Sequence, residues 1–488
     1  MDLPELRNHL AKFLRNAELA AATAVCKSWY ETFTPHLYRE IQWTDYTRNP
    51  SRQAIEANAQ HIRSLFIHAA PWGFPLEALT KVQAIFLGFR VQGLETWRRL
   101  ATLLKQNPEM ESVTVATFGR ESLIEEFMSV LASACPKLHT LVCNFDELDE
   151  NCTAYLLDAS VRVKALSLCD VELVPPDSLD RWPVFLYLEH LEMSIYVGLS
   201  PDQQCEVMRR SPQLRTLGWY LDCGKTSISP LKDIIADHCR HLHELELIDG
   251  KLSDREISQI LDSFQRLTKL RLVDSEFHSK AQQSLTRHHP HLKELDVGRC
   301  RGTTSAMTQQ IMISCPELVH LYTERLDAQD ILGSAALTHA DDMGEKKQET
   351  YPPVQDWVCT GLRTLSTFVG GLEGKPQAWH RMVMRQLASL RKLESFIIGI
   401  SSFNKDKLSP RDGLDLRLQA GLNSLHGLSI QEFNFDGLWQ QMEEHDVRWF
   451  TEAWPRLSSM LGMMHHDSER CIELQTILQA RNITIRKY

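Results

Sequence analysis

The sequence predicts an α/β chain: a short three-helix module at the N-terminus, then a solenoid in which each coil adds one strand and one helix. Three observations predict it. An apolar unit of the form (Pro)-x-Leu-x-x-Leu-x-Leu recurs through the chain. Its spacing is nearly constant. The first 43 residues stand outside that repeat and show helical periodicity instead.

In the N-terminal segment Leu6, Leu10, Phe13 and Leu14 fall at i, i+4, i+7 and i+8, one apolar stripe of a helix. Pro4 sits near its start, where a missing N–H costs little. Asn16 is placed to cap a second helix, with Glu18 in its first turn. Leu19, Ala22, Cys26, Trp29 and Phe33 then share a face, and Pro35 is expected to end the helix or turn it. Three short helices bury little surface alone. Their apolar residues therefore suit a docking surface, or a cap on the open end of the array. The elements Leu3-Pro4-Glu5-Leu6, Leu10, Phe13-Leu14, Leu19 and Val25-Cys26-Lys27-x-Trp29, in this order, resemble an F-box. Leu-Pro runs straight into Glu5, where many F-boxes insert a residue. The resemblance implies docking to the Skp adaptor of a cullin–RING ubiquitin ligase through Leu3, Pro4, Leu6, Leu10, Phe13, Leu14, Leu19, Val25 and Trp29.

The repeat reads CPKLHTLVC (135–143), SPQLRTLGW (211–219), CRHLHELEL (239–247), FQRLTKLRL (264–272), HPHLKELDV (289–297) and CPELVHLYT (315–323). Weaker copies are QHIRSLFI, NPEMESVTV, VRVKALSL, YLEHLEMS, TGLRTLST, LRKLESFI, LNSLHGLS and PRLSSMLG. The first apolar residues are Met110, Leu138, Val163, Leu188, Leu214, Leu242, Leu267, Leu292 and Leu318, separated by 28, 25, 25, 26, 28, 25, 25 and 26 residues. That period lies in the leucine-rich-repeat range of roughly 20–29 residues. Each unit should place a short strand with its leucines inward on a concave side. Segments such as ISQILDSF should form convex-side helices, that one capped by Ser253 or Asp254. The cysteine that often opens a unit suits a small buried residue at the helix-to-strand corner. With the N-terminal motif, these repeats resemble the F-box/leucine-rich-repeat family, whose members are horseshoe-shaped substrate receptors.

The expected division is an F-box-like domain at 1–43 and a repeat domain at 44–488, with insertions at about 327–357 and 401–413. The first holds a polar stretch, Thr338 to Pro353, that reads as a mobile loop. RNITIRKY at the end suits a last strand.

Strand alternation sends positions n+2, n+4 and n+6 of each unit to the concave face. The expected surface carries Glu192, Tyr220, Glu244, Glu246, Lys269, Arg271, Glu294, Asp296, Tyr322 and Glu324, with Ser194, Ile248 and Val273 at n+6 positions. Such a face fits a basic or mixed-charge protein segment; it equally fits a solvated sheet face that keeps a long array soluble.

Lys and Arg total 53 against 63 Asp and Glu, a net charge of −10, which disfavours nucleic acid and anionic membranes as partners. No apolar run reaches the ~18 residues of a membrane span, and no secretory signal opens the sequence. Twelve dispersed cysteines without a CxxC pair suit a reduced cytoplasmic or nuclear protein. The clusters His238-Cys239-x-His241-x-His243 and His288-His289-x-His291 interleave with repeat leucines and lack zinc-finger spacing. No nucleotide-binding, hydrolase or metalloprotease motif occurs, so neither cofactor nor catalysis is expected. The reading is a non-enzymatic substrate receptor for a protein not identified by sequence; the alternative is a repeat scaffold with a helical cap and no ligase link.

Overall fold

A computed structural model describes residues 3–44, 49–69, 73–88, 94–116, 124–145, 147–169, 171–174, 182–194, 197–220, 229–288, 290–333, 356–400 and 408–486. The chain divides into two compact units, Met1–Leu242 and His243–Tyr488.

The first unit opens with α1 (Pro4–Ala11), α2 (Asn16–Thr23) and α3 (Lys27–Leu37). Ala11, Leu19, Ala22 and Phe33 form a small core of their own, with Leu10, Leu14, Trp29 and Leu37 packed on it. Trp29 meets Phe33 edge-on at 5.3 Å. Three local features differ from the sequence reading. Helix α1 stops at Ala11, so Phe13 and Leu14 lie in the turn beyond it rather than on its stripe. Asn16 is the first helical residue, not the cap; Glu18 instead takes the Arg15 backbone N–H at 2.8 Å. Helix α3 runs through Pro35, held by Phe33 in the core and by a Tyr38 N–H bond to the Thr34 carbonyl at 3.0 Å.

The strands of this unit are β1 (Glu40–Trp43), β2 (Ser64–Ile67), β3 (Ala84–Leu87), β4 (Ser112–Ala116), β5 (Thr140–Asn144), β6 (Glu147–Leu148), β7 (Ala165–Leu168), β8 (Glu172–Leu173), β9 (His190–Met193) and β10 (Thr216–Tyr220). β6 and β8 pair with each other; the rest form parallel rungs in chain order. Their middle apolar residues align in one column: Ile41, Leu65, Ile85, Val113, Leu141, Leu166, Leu191 and Leu217. Residues 40–43, read as part of the N-terminal module, are thus the first rung of the array. β3 belongs to a further copy of the repeat, not among those read from the sequence, with Val82, Ile85 and Leu87 at the expected offsets and all buried.

The second unit repeats the arrangement with β11 (Glu244–Ile248), β12 (Lys269–Glu276), β13 (Glu294–Arg301), β14 (His320–Asp327), β15 (Thr364–Gly370), β16 (Ser395–Ile397), β17 (Glu432–Asn434), β18 (Ser459–Leu461) and β19 (Thr484–Arg486). Leu245, Leu270, Leu295, Leu321, Leu365, Phe396, Phe433, Met460 and Ile485 form its column. RNITIRKY does supply the last rung. Helices alternate with strands as the period requires, and Ser253 caps Asp254–Leu261, accepting the Glu256 N–H. LNSLHGLS is not a strand copy: Leu422–Gly427 is a 3₁₀ helix, and the strand follows at Glu432–Asn434.

The cysteines that open several units are corner residues. Cys135, Cys239, Cys315 and Cys359 are buried, and each carbonyl accepts the N–H of the repeat leucine three residues on, at 3.0–3.3 Å. Residues 334–355 and 401–407, which take in much of the two insertions and all of the expected mobile loop, lie outside the described residues. Their flanks are built into the coils: β14 continues to Asp327, and Trp357 is buried with its Nε1–H bonded to Gln309 at 2.8 Å.

Candidate functional sites

The N-terminal module sorts the nine residues assigned to adaptor docking. Leu3, Pro4, Leu6, Phe13 and Val25 are exposed, Phe13 the most at 72%. Leu10, Leu14 and Trp29 are half-buried against the module core, and Leu19 is 4% exposed within it. These four build the module, Leu10, Leu14 and Trp29 keeping part of their surface outside it. Tyr30, absent from the sequence list, is exposed at 53% and joins the outer set. The Phe13 ring rests edge-on against His9 at 5.1 Å. Exposed leucine, phenylalanine, valine and tyrosine on a unit with its own core is the pattern of a docking face.

Between α1 and α3 lies Arg7, 7% exposed, a residue the apolar pattern gave no reason to single out. Its Nη1 donates to Ser28 Oγ, and its Nε has no hydrogen-bond partner.

The strand face of the second unit carries two charge rows set by register. One runs Glu244, Lys269, Glu294, His320, Thr364; the other Glu246, Arg271, Asp296, Tyr322, Ser366. Each row alternates acid, base, acid. Lys269 Nζ lies 3.1 Å from Glu294, while Arg271 contacts Glu246 and reaches Asp296 at 3.1 Å. Burial raises the Asp296 carboxyl above its usual range, although the Gly298 N–H and Arg271 oppose the rise. Burial works downward on Arg271, and Glu246 and Asp296 outweigh it, so the guanidinium is held more firmly charged. Tyr322 is raised mainly by burial, and His320 shares a 3.0 Å bond with Thr364. The face therefore brings Glu244, Glu246, Lys269, Arg271, Glu294, Asp296, Tyr322 and Glu324 onto one sheet surface, with its central cations already paired. In the first unit Glu192 accepts the Ser167 hydroxyl at 2.8 Å, and Tyr220 is half-buried at the end of β10.

Three of the n+6 positions depart from simple alternation. Ser194, Ile248 and Val273 are buried at 6%, 9% and 1% and do not belong to the surface. In β12 a register shift between Arg271 and Val273 turns Val273 inward.

Among the described residues no group of three or more His, Cys, Asp or Glu is placed to hold a metal ion, and no helix is long and apolar enough to cross a membrane. Burial pushes the Cys143, Cys239, Cys300, Cys315 and Cys359 thiols up to about 12, opposite to a nucleophilic cysteine.

No family profile and no curated protein sequence matches the chain. Among solved structures it is similar to a chain of the Rad7 and Elc1 complex in yeast, at 14% identity and a TM-score of 0.44, covering 96% of this chain and 89% of that one. It is also similar to a chain of the TLR13–ssRNA13 complex, at 14% identity and a TM-score of 0.37, covering 87% of this chain and 67% of that one. At these values neither likeness assigns a partner or an activity to this protein.

Proposed function

We propose that the protein is the substrate-recognition subunit of a Skp–cullin–F-box ubiquitin ligase, working in the cytoplasm or nucleus. The three-helix module docks on a Skp-type adaptor, and the repeat array holds a protein substrate. Ubiquitin transfer belongs to other subunits; this chain contributes by proximity, converting an encounter in solution into one within a complex. The observation that carries the reading is the segregation of the F-box-like residues. Leu10, Leu14, Leu19 and Trp29 close a separate core, leaving Leu3, Leu6, Phe13, Val25 and Tyr30 outside it. A helical cap on the array alone gives no reason for that outer set.

Co-purification with a Skp adaptor tests this. The wild-type chain should retain the adaptor. Leu6→Asp and Phe13→Asp, on exposed positions, should lose it while melting at the wild-type temperature. A wild-type chain that ignores the adaptor would make the protein a repeat scaffold.

A further inference from the structure

Arg7 is a buried cation without a counter-charge. Its side chain is largely sealed between α1 and α3, at 7% exposure, and among the described residues no carboxylate pairs with it. A guanidinium taken out of water without an anion is costly, so it marks a place where negative charge is favoured. Its described side-chain contact is the Ser28 hydroxyl, which leaves Nε unsatisfied.

Ser28 stands in the first turn of α3, an eleven-residue helix. Cys26 at the cap position supplies no side-chain bond, and the first turn holds no acidic residue. The N-terminal N–H groups and the positive end of the helix dipole are therefore left uncompensated. Lys27 is close by, engaged only at 4.0 Å with Glu31, and its side chain is 90% exposed. Ser28 itself is exposed, so an enzyme can reach it. Three sources of positive potential thus surround one accessible hydroxyl, one of them a buried side chain with an idle donor.

We propose that Ser28 is a phosphorylation site, with its phosphoryl group held by Arg7 and the N-terminus of α3. In the step, Ser28 Oγ forms a bond to the γ-phosphorus of a nucleoside triphosphate as the bond to the β–γ bridging oxygen breaks. The nucleoside diphosphate leaves, and the hydroxyl proton passes to the base of a protein kinase. The product places a dianion where the buried guanidinium lacks one, tying α1 to α3 more firmly.

The test uses the full chain with phosphoserine genetically encoded at position 28, beside the unmodified chain and Ser28→Ala. Phosphorus NMR should show the second phosphate ionisation at least about half a unit below the ~6 of exposed phosphoserine. Arg7→Gln in the phosphorylated chain should return it toward that value. The phosphorylated chain should also melt above the unmodified one, a readout that stands if Arg7→Gln fails to fold. A phosphate that titrates like one on a free peptide, or a lowered melting temperature, would overturn the assignment. So would loss of the Skp adaptor by unmodified Arg7→Gln with no effect of phosphoserine on ionisation or melting; the counter-charge would then come from the adaptor.

Discussion

Arg325 joins its own strand to two remote points of the second unit. Its Nη2 reaches Asp412 at 2.7 Å, its Nε contacts Asp327, and its guanidinium lies 5.6 Å from the Phe368 ring centroid. Asp412 also accepts the N–H groups of Leu372 and Glu373 at 2.9 and 3.1 Å. Arg325→Ala removes the cation from two largely buried carboxylates and should lower stability by about 1–3 kcal/mol, read from the urea midpoint. Burial acts upward on Asp412, but the backbone N–H groups and Arg325 outweigh it and hold the carboxyl below its ordinary value. A depressed carboxyl stabilises the fold above its unfolded pKa and ceases to as pH falls through the folded one. Asp327, raised chiefly by burial, contributes with the opposite sign. Melting of Asp412→Asn should therefore be less acid-sensitive than wild type below about pH 4. The buried thiols act at the other end of the scale. Six raised from 9.0 to about 12, Cys152 among them, stabilise the fold below their unfolded value and lose that contribution across this interval. Thermal melts from pH 8 to about 11 should show accelerating loss, weakened by Cys143→Ala where the cavity is tolerated. At neutral pH a thiol reagent should modify exposed Cys26 before the buried cysteines, as peptide mapping would show.

At the scale of elements, the strand columns and the N-terminal helices were legible to different degrees. The columns were legible because a rung needs apolar residues at n, n+3 and n+5, and few other structures do. LNSLHGLS fails that rule: Leu422, Leu425 and Leu428 are spaced by three, the period of the 3₁₀ turn that forms there. Ile430, Phe433 and Phe435 keep the rung spacing and are buried. In the N-terminal module the periodicity located the helices but not their sides. An apolar stripe does not say whether its partner is within the chain or outside it, and the early end of α1 moved Phe13 off the stripe. Charge partners were not legible either, since the Lys269–Glu294 pair depends on rungs brought side by side from 25 residues apart. Two substitutions separate the roles. Trp29→Ala should remove about 2–4 kcal/mol from the module, seen as lost helical signal, whereas Leu6→Asp should cost about 0.5 kcal/mol or less. In the array, Leu295→Ala should cost about 2–5 kcal/mol because its site is sealed by rungs on both sides.

At the scale of the molecule, 488 residues carry a net charge of −10, and the strand-face cations of the second unit are already paired with carboxylates. A basic protein partner should associate quickly at low salt and more slowly as salt rises, measurable as a falling on-rate with little change in off-rate. The route from the first segment to the array sets how such a partner would be presented. Helix α3 ends at Leu37 and β1 begins at Glu40, leaving Tyr38 and Arg39 between them. The Arg39 carbonyl is itself fixed, accepting the N–H groups of Arg63 and Ser64 at 2.9 and 3.0 Å. The joint is a bracket and not a tether. Whatever binds the helices is held at a set angle to the first rungs, and its distance from them is not diluted by a swinging linker. Lengthening that joint with glycine and serine would leave both ends folded, yet let the helices and the first rungs drift apart.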